Sequence, residues 1–490
     1  MLAPAAPGLR RLGDYLDLPP DEADAMLTGR ARWDYRQLRG AVESCAAGLL
    51  DLGVAAGDRV AILSAPAPEF WISFLATARI GAVWLGLSPR STADELSTLL
   101  ADSSPSVVLL GESADPDVLP HGIRTVPFRA IEGQGPVPDV SEPDKPALVV
   151  FTSGSSGRRK PALISQSALV EGARRRISAW NHGPFRTLVN LPINHIGGVG
   201  DLAVTTLVSG GCLSFMSRFK ADGTLARIAR DRLTFWYQVP TMFELVLAAD
   251  DPAAHDLSSL EAVCWSGAPA SEALVARLDG LFPGRLGTDY SQTESVGAIT
   301  LAPLGTPAEL LAGSPGWPVP GRNVALSDAG EVLVGREECF LGYLGRSDSD
   351  DQTLRDGWLH TGDVGEWLPD GRLKLVGRLS DMFKSGGYNV YPREIEQVLE
   401  EYPGVARAAV AGLPDPLWGE VGHAWIEPQL GQLLDIDALS EQLAKRLAHY
   451  KLPKHFHIME ALPLLPVGKV DKRALVSSLS EALSVPASHR

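Results

Sequence analysis

The chain has 490 residues, 45% hydrophobic and 21% charged, and a formal net charge of -15. That length exceeds what one core sustains, so two or more domains are expected, with the composition of an ordinary globular protein. The acidic balance excludes a general nucleic-acid binder, which needs a basic face, and four scattered cysteines with no Cys-x-x-Cys pair predict neither a disulfide framework nor a zinc cage but a reducing, cytoplasmic setting.

Met1 to Gly13 has no apolar run behind its arginines, so no signal peptide is expected. Trp33 to Leu52 places Leu38, Val42, Ala46 and Leu49 at helical spacing. Arg59 to Ser64 reads as a strand. Phe70 to Leu87 is apolar but interrupted by Arg79; it predicts a buried helix running into a buried strand, Ala82 to Leu87, and no membrane span. A helix at Thr92 to Asp102 and a strand at Val107 to Leu110 continue the alternation, which predicts an α/β architecture with much parallel sheet. Gly111 to Pro146 reads as loops around short strands. Ala147 to Phe151 is a buried strand, Ala162 to Ser165 another, and a helix follows from Ser167. Leu188 to Pro192 reads as a short strand broken by Asn194 to Asp201, and βα alternation runs on to about Gly297. From Gly330 strands shorten and turns multiply. Pro392 begins a helix with Ile395, Val398 and Leu399 on one face. Strands at Ala406 to Ala411 and His423 to Glu427 follow, then helices from about Asp437 to His449 and from about Asp471. The last part predicts a small α+β domain, with the boundary near Arg378 to Asp381.

The segment between two of these strands carries the first chemistry. Thr152-Ser153-Gly154-Ser155-Ser156-Gly157-Arg158-Arg159-Lys160 is a run of hydroxyls and glycines closed by a cation. Glycines let backbone N–H groups converge on an anion, hydroxyls add donors, and Lys160 supplies charge, so this is a phosphate loop. It is not a Walker loop, because the second glycine of that pattern falls on Arg159, and it is not Gly-x-Gly-x-x-Gly. It resembles the signature of the adenylate-forming superfamily of acyl-CoA synthetases, peptide-synthetase adenylation domains and luciferases. That signature reads Thr-Ser-Gly-Thr/Ser-Thr/Ser-Gly-x-Pro-Lys-Gly; here Arg159 replaces the proline and Pro161 the last glycine.

Further stretches resemble the same superfamily in its order. Trp265-Ser266-Gly267-Ala268-Pro269 resembles the segment that passes the adenine, where small residues let a flat base approach the backbone. Asp289-Tyr290-Ser291-Gln292-Thr293-Glu294 resembles the Tyr-Gly-x-Thr-Glu motif, with Ser291 in place of glycine. Tyr290 offers a ring face to adenine, Thr293 a hydroxyl to phosphate, and Glu294 a hard oxygen ligand for Mg2+. In Asp356 to Asp363 the resemblance assigns the ribose hydroxyls to Asp363, and Arg378 is the matching ribose arginine. Ser380 falls at the hinge. Lys384 matches the lysine that serves the second half-reaction in luciferases, and Gly386-Gly387 the glycines that let a pantetheine arm pass. Pro466-Val467-Gly468-Lys469 resembles the terminal motif, whose flexible cation, Lys469, bridges the substrate carboxylate and the α-phosphate. For the acyl pocket the resemblance points to His195, Gly197, Gly198, Val199 and Asp201, with Tyr237 and Trp265 as aromatic walls. A capping or core histidine, a helix cap at Asp201 before a helix from Leu202, and plain core aromatics are the competing readings.

The resemblance implies a large N-terminal multi-layer α/β domain, residues 1–379, and a small mobile C-terminal α+β lid, residues 380–490. It also implies a reaction in two halves. A small carboxylic acid attacks Mg-ATP to give acyl-AMP and pyrophosphate; after the lid rotates, a nucleophile takes the acyl group. Coenzyme A is the expected acceptor. A carrier-protein phosphopantetheine uses the same tunnel, and an amine is the alternative, with His195 as base and Asp201 behind it. A non-catalytic nucleotide sensor has no need of Lys469, Glu294, Asp363 and Arg378 together.

Overall fold

The structure, a computed structural model, describes residues 8–29, 31–152, 159–345, 352–465 and 470–484. Helix ends follow local chemistry. Asp34 caps the helix Tyr35–Asp51 by accepting from Gln37 N at 2.8 Å while the Gln37 side chain accepts from Asp34 N at 3.0 Å. Thr92 and Glu95 repeat that exchange at the helix Ala93–Ser103. Proline opens the helices Pro68–Arg79, Pro240–Ala249 and Pro392–Glu400, where its missing N–H costs nothing.

Two large sheets build most of the chain. The first has nine strands, in the order Trp317–Pro318, Gly297–Ala302, Leu286–Gln292, Ala262–Trp265, Phe235–Gln238, Arg186–Val189, Cys212–Phe215, Asp24–Thr28 and Ala31–Asp34. The second has seven: Gly342–Tyr343, Lys160–Ser165, Pro146–Thr152, Val83–Leu87, Arg59–Leu63, Val107–Leu110 and Thr125–Pro127. The inner strands of both are mainly parallel and buried on both faces, as crossover helices require. Between the sheets lies the largest core. It is rich in rings: Phe70, Trp71, Phe74 and Trp84 are buried, and the Trp84 indole N–H donates to Ser73 Oγ at 2.9 Å, so no polar atom of that ring is stranded.

A five-stranded sheet built on Glu331–Gly335, Trp358–Trp367 and Leu373–Arg378 follows, and then a separate five-stranded sheet built on Phe383–Ser385, Val405–Asp415 and Gly419–Pro428 with its own hydrophobic core. Sheet membership changes between Arg378 and Phe383.

Three elements differ from expectation. The strand expected at Leu188 to Pro192 lies earlier, at Arg186–Val189, where two parallel partners, Cys212–Phe215 and Phe235–Gln238, are available. The helix expected to run to His449 stops at Arg446 and gives way to a short 3-10 turn at His449–Lys451. The helix expected from Leu202 begins as a π-helical segment at Gly197–Val204, whose residues are all buried.

Candidate active site

Four residues from three separate motifs meet at one carboxylate. Asp363, on the strand Trp358–Trp367, is 6% exposed. Its Oδ1 accepts from Arg378 Nε at 2.6 Å. Its Oδ2 accepts from the Tyr290 hydroxyl at 2.6 Å and from Gln292 Nε2 at 2.5 Å. Antiparallel pairing of Asp363 with Arg378 sets the first contact, and two-residue periodicity puts Tyr290 and Gln292 on one face of Leu286–Gln292 for the other two. A carboxylate has about four lone-pair directions, so three are filled by these donors. Asp363 holds the Arg378 guanidinium above its ordinary pKa, and burial pushes the Tyr290 phenol well up.

Asp289, expected at the nucleotide, points to the other face. Its Oδ2 accepts from Arg176 Nε at 3.0 Å, and the Tyr237 hydroxyl lies 3.2 Å from Oδ1. Arg176 Nη2 donates to Asp201 Oδ1, also at 3.0 Å. Arg176, Asp201, Asp289 and Tyr237 are all buried. Burial raises the Asp289 carboxyl against the pull of Arg176. Burial alone would lower the Arg176 pKa, but Asp201 and Asp289 outweigh it and hold the cation charged. Asp201 is therefore no helix cap: it lies inside the π-helical segment and is an ion-pair partner of the preceding helix, Gln166–Trp180.

Tyr237 and Trp265 cannot share a pocket wall. Tyr237 stands with Trp180, Phe235 and Cys264 on one face of the nine-stranded sheet, whereas Trp265 and Trp236 pack with Phe243 and Phe282 on the other. Trp265 is core. His195 is exposed, and its Nδ1 accepts from Gly197 N at 3.2 Å. That bond ties up the ring nitrogen that holds the lone pair in the neutral form. Asp201, expected behind His195 as part of a relay to an amine acceptor, is bound instead to Arg176. Gly198 and Val199 lie buried in the same π-helical segment, beside Gly197.

The adenine-side loop leaves the carboxyl end of Ala262–Trp265, the end at which open α/β sheets bind ligands. Ser266 Oγ ties it to Asp289 O at 3.0 Å, and Gly267 takes φ +81 and is exposed, as are its neighbour but one, Pro269, and in part Ala268. Thr152 and Lys160 are register partners across the phosphate-loop hairpin. Ser153, Gly154, Ser155, Ser156 and Gly157 lie outside the described residues. Arg159, the departure from the superfamily's proline, reaches Glu95 Oε1 at 3.1 Å in the first turn of Ala93–Ser103.

Thr293 and Glu294 sit in a tight turn between Leu286–Gln292 and Gly297–Ala302. Val296 closes it at φ +47, a costly conformation for a β-branched residue. Ser295 Oγ accepts from Gln292 N at 3.0 Å and donates to Gly297 O at 2.9 Å, which holds the turn shut. Glu294 is half-buried; Oε1 accepts from the Tyr343 hydroxyl at 2.6 Å, and Oε2 has no partner among the described residues. A magnesium ion fits there: it favours one or two carboxylates plus substrate phosphates over an all-protein cage, and among the described residues no three His, Cys, Asp or Glu converge.

Toward the C-terminal domain, Ser380 lies in the turn after Leu373–Arg378 and its hydroxyl donates to Asp381 Oδ1 at 2.9 Å. Lys384 is exposed. Gly386 and Gly387 take φ +57 and +85, and a Cβ at Gly386 would meet Trp418 at 2.9 Å. Lys469 lies outside the described residues; on either side of it Leu464 bridges Val470, and Lys472 pairs with the buried Glu396 at 2.6 Å. Sequence reasoning missed Tyr343 and Arg176. Arg176 had a signal: it falls in the apolar stripe of Leu169, Gly172, Ala173 and Trp180, but Arg174 and Arg175 disguise it as part of a solvated run.

Fold and site thus define a nucleotide-binding α/β protein with a second, small α+β unit. Residues 17–344 match the AMP-binding enzyme family and residues 394–469 the AMP-binding enzyme C-terminal domain. The chain belongs to this family, the adenylate-forming superfamily expected from its motifs. It is 35% identical to a feruloyl-CoA synthase of Amycolatopsis sp over 92% of this chain and 94% of that one. It is 33% identical to an indoleacetate–CoA ligase of Aromatoleum aromaticum, over 89% and 91%. Among solved structures, the amide bond synthetase McbA of Marinactinospora thermotolerans superposes with a TM-score of 0.87 at 28% identity, covering 96% of this chain and 99% of that one.

Proposed function

We propose that this chain joins an aryl carboxylic acid to coenzyme A in two steps at one site, with Mg-ATP as the activating substrate. The observation that carries the reading is the convergence of Tyr290, Gln292 and Arg378 on Asp363, beside a turn that presents Thr293 and Glu294. Asp363 and Arg378 take the ribose, and the Gly267–Pro269 edge and Tyr290 take the adenine. The phosphate loop, Lys160 and Thr293 take the phosphates, and Glu294 the magnesium that accompanies them. Lys469 stabilises charge on the α-phosphate as the substrate carboxylate attacks it and pyrophosphate leaves. The acyl group then passes to the coenzyme A thiol, and AMP departs. Residues 1–379 form the nucleotide- and acid-binding domain and residues 380–490 the lid, hinged at Ser380; the change of sheet between Arg378 and Phe383 supports that division.

The aryl preference rests on two relatives whose names specify ferulate and indoleacetate. For the acceptor, an exposed patch beside Gly386 supports a large one: Trp418 is 44% exposed with Lys454 over its ring, and Tyr388 stacks on Tyr450. A flat base and phosphates suit aromatic faces flanked by lysines. The likeness to an amide bond synthetase favours an amine as second reading; against His195 and Asp201 as its base stand the bond from Gly197 N to His195 Nδ1 and the ion pair of Asp201 with Arg176.

The test is product mass. Incubation with ATP, a panel of aryl and alkyl acids, and coenzyme A or a simple amine should yield AMP, pyrophosphate and an aryl thioester. Amide without thioester would replace this reading with the second.

A further inference from the structure

Tyr343 stands between the two charged groups that the polyphosphate of ATP must meet. Its strand, Gly342–Tyr343, is an edge strand paired antiparallel to Lys160–Ser165, the strand that leaves the phosphate loop; Tyr343 is opposite Ala162. The flanking bonds Leu341 N to Leu163 O and Leu344 N to Pro161 O, both 2.8 Å, lock that register. The Tyr343 hydroxyl donates to Glu294 Oε1 at 2.6 Å, and Phe340 N donates to the Glu294 carbonyl at 2.9 Å. The Lys160 ammonium lies 4.8 Å from the centre of the Tyr343 ring, and Phe340 packs edge-on against that ring at 4.8 Å. Tyr343 is buried. One side chain therefore presents its ring to the phosphate-loop lysine and its hydroxyl to the metal carboxylate.

Resting on the reading of Glu294 given above, we propose that Tyr343 is a positioning residue for Mg-ATP. The short bond to Oε1 would hold the Glu294 carboxylate in one rotamer, with Oε2 left as the oxygen that a magnesium ion could take. Without that donor, Glu294 swings, and the ion loses an oriented oxygen. Groups that orient a metal's ligands in this way change affinity by about 10- to 100-fold when removed. The ring holds the Lys160 ammonium on its face while the hydroxyl of the same side chain engages Glu294.

The test is ATP binding in the absence of acid, followed by calorimetry across a magnesium titration, so that no turnover enters the readout. Tyr343→Phe keeps the ring and should shift the magnesium midpoint upward by about tenfold, with metal-free ATP binding and the melting temperature near wild type. Tyr343→Leu should also weaken metal-free ATP binding, through Lys160. The double variant Tyr343→Phe/Glu294→Gln should titrate like Glu294→Gln alone. In the full reaction Tyr343→Phe should lower kcat at fixed magnesium, recover with excess magnesium, and leave the KM for acid unchanged. A wild-type magnesium titration in Tyr343→Phe, with Glu294→Gln shifted, overturns the role of Tyr343 alone. If Glu294→Gln is also unshifted, both roles fall.

Discussion

Arg176, with 1% of its surface exposed, is held between two buried carboxylates and beneath a tyrosine. The group sets one guanidinium against two buried carboxyls, and removing the cation leaves both without their charge partner. Arg176→Met should cost about 3–5 kcal/mol of stability, far beyond the loss of packing volume, because an unpaired buried charge is the expensive product. Urea unfolding of the large domain measures it; a change under about 1 kcal/mol would mean that water or a proton reaches Asp289 and Asp201 readily. At this scale the sequence was legible where a motif carried its own chemistry. Asp363, Arg378, Tyr290 and Gln292 were all named from their motifs, and the structure brings them together. What could not be read was which face a side chain takes: Asp289 and Tyr290 are neighbours in sequence and turn to opposite sides, and Trp265 turns away from Tyr237.

The turn that presents Glu294 depends on an element distant in sequence. Gly172, in the helix Gln166–Trp180, lies so close to the turn that an added Cβ would meet the Val296 carbonyl oxygen at 2.6 Å. Val296 already holds φ +47 and cannot yield cheaply. Gly172→Ala should therefore push helix and turn apart, costing about 1–3 kcal/mol and reducing acid-dependent pyrophosphate release more than it reduces acid binding. Equal losses in both would place the strain elsewhere. The beginning at Pro392 was legible because proline spares the first N–H, whereas the caps at Asp34 and Ser165, which set the starts of their helices, were not read from the sequence. The π-helical Gly197–Val204 was not legible, because its glycines signal a break and its widened turn destroys the 3.6-residue pattern.

For the whole molecule, the proposed function requires one nucleotide site served in turn by two faces of the C-terminal domain. The two smaller sheets lie where the texture was expected to change, after about Gly330, but the short strands expected there are not what forms: Trp358–Trp367, Val405–Asp415 and Gly419–Pro428 are the long strands of the chain. How the lid sits was not legible, because it depends on contacts between residues far apart in sequence. Arg407 reaches Glu244 at 3.4 Å across the two parts, and the helix Pro392–Glu400 packs so that Tyr391 comes within 3.1 Å of where a Cβ on Gly377 would stand. Within the lid, Glu396 sits below its ordinary pKa: burial raises it, but Lys472 and Arg393 together more than offset that. The pair holds Lys472 three residues beyond Lys469. The most direct test of two steps at one site separates them in Lys469→Ala. Acid-dependent pyrophosphate release should fall by roughly 100-fold or more, the scale of losing one charge stabiliser. Thioester formation from preformed acyl-AMP and coenzyme A should stay near the wild-type rate. Wild-type pyrophosphate release, or an equal loss in both half-reactions, would contradict the account.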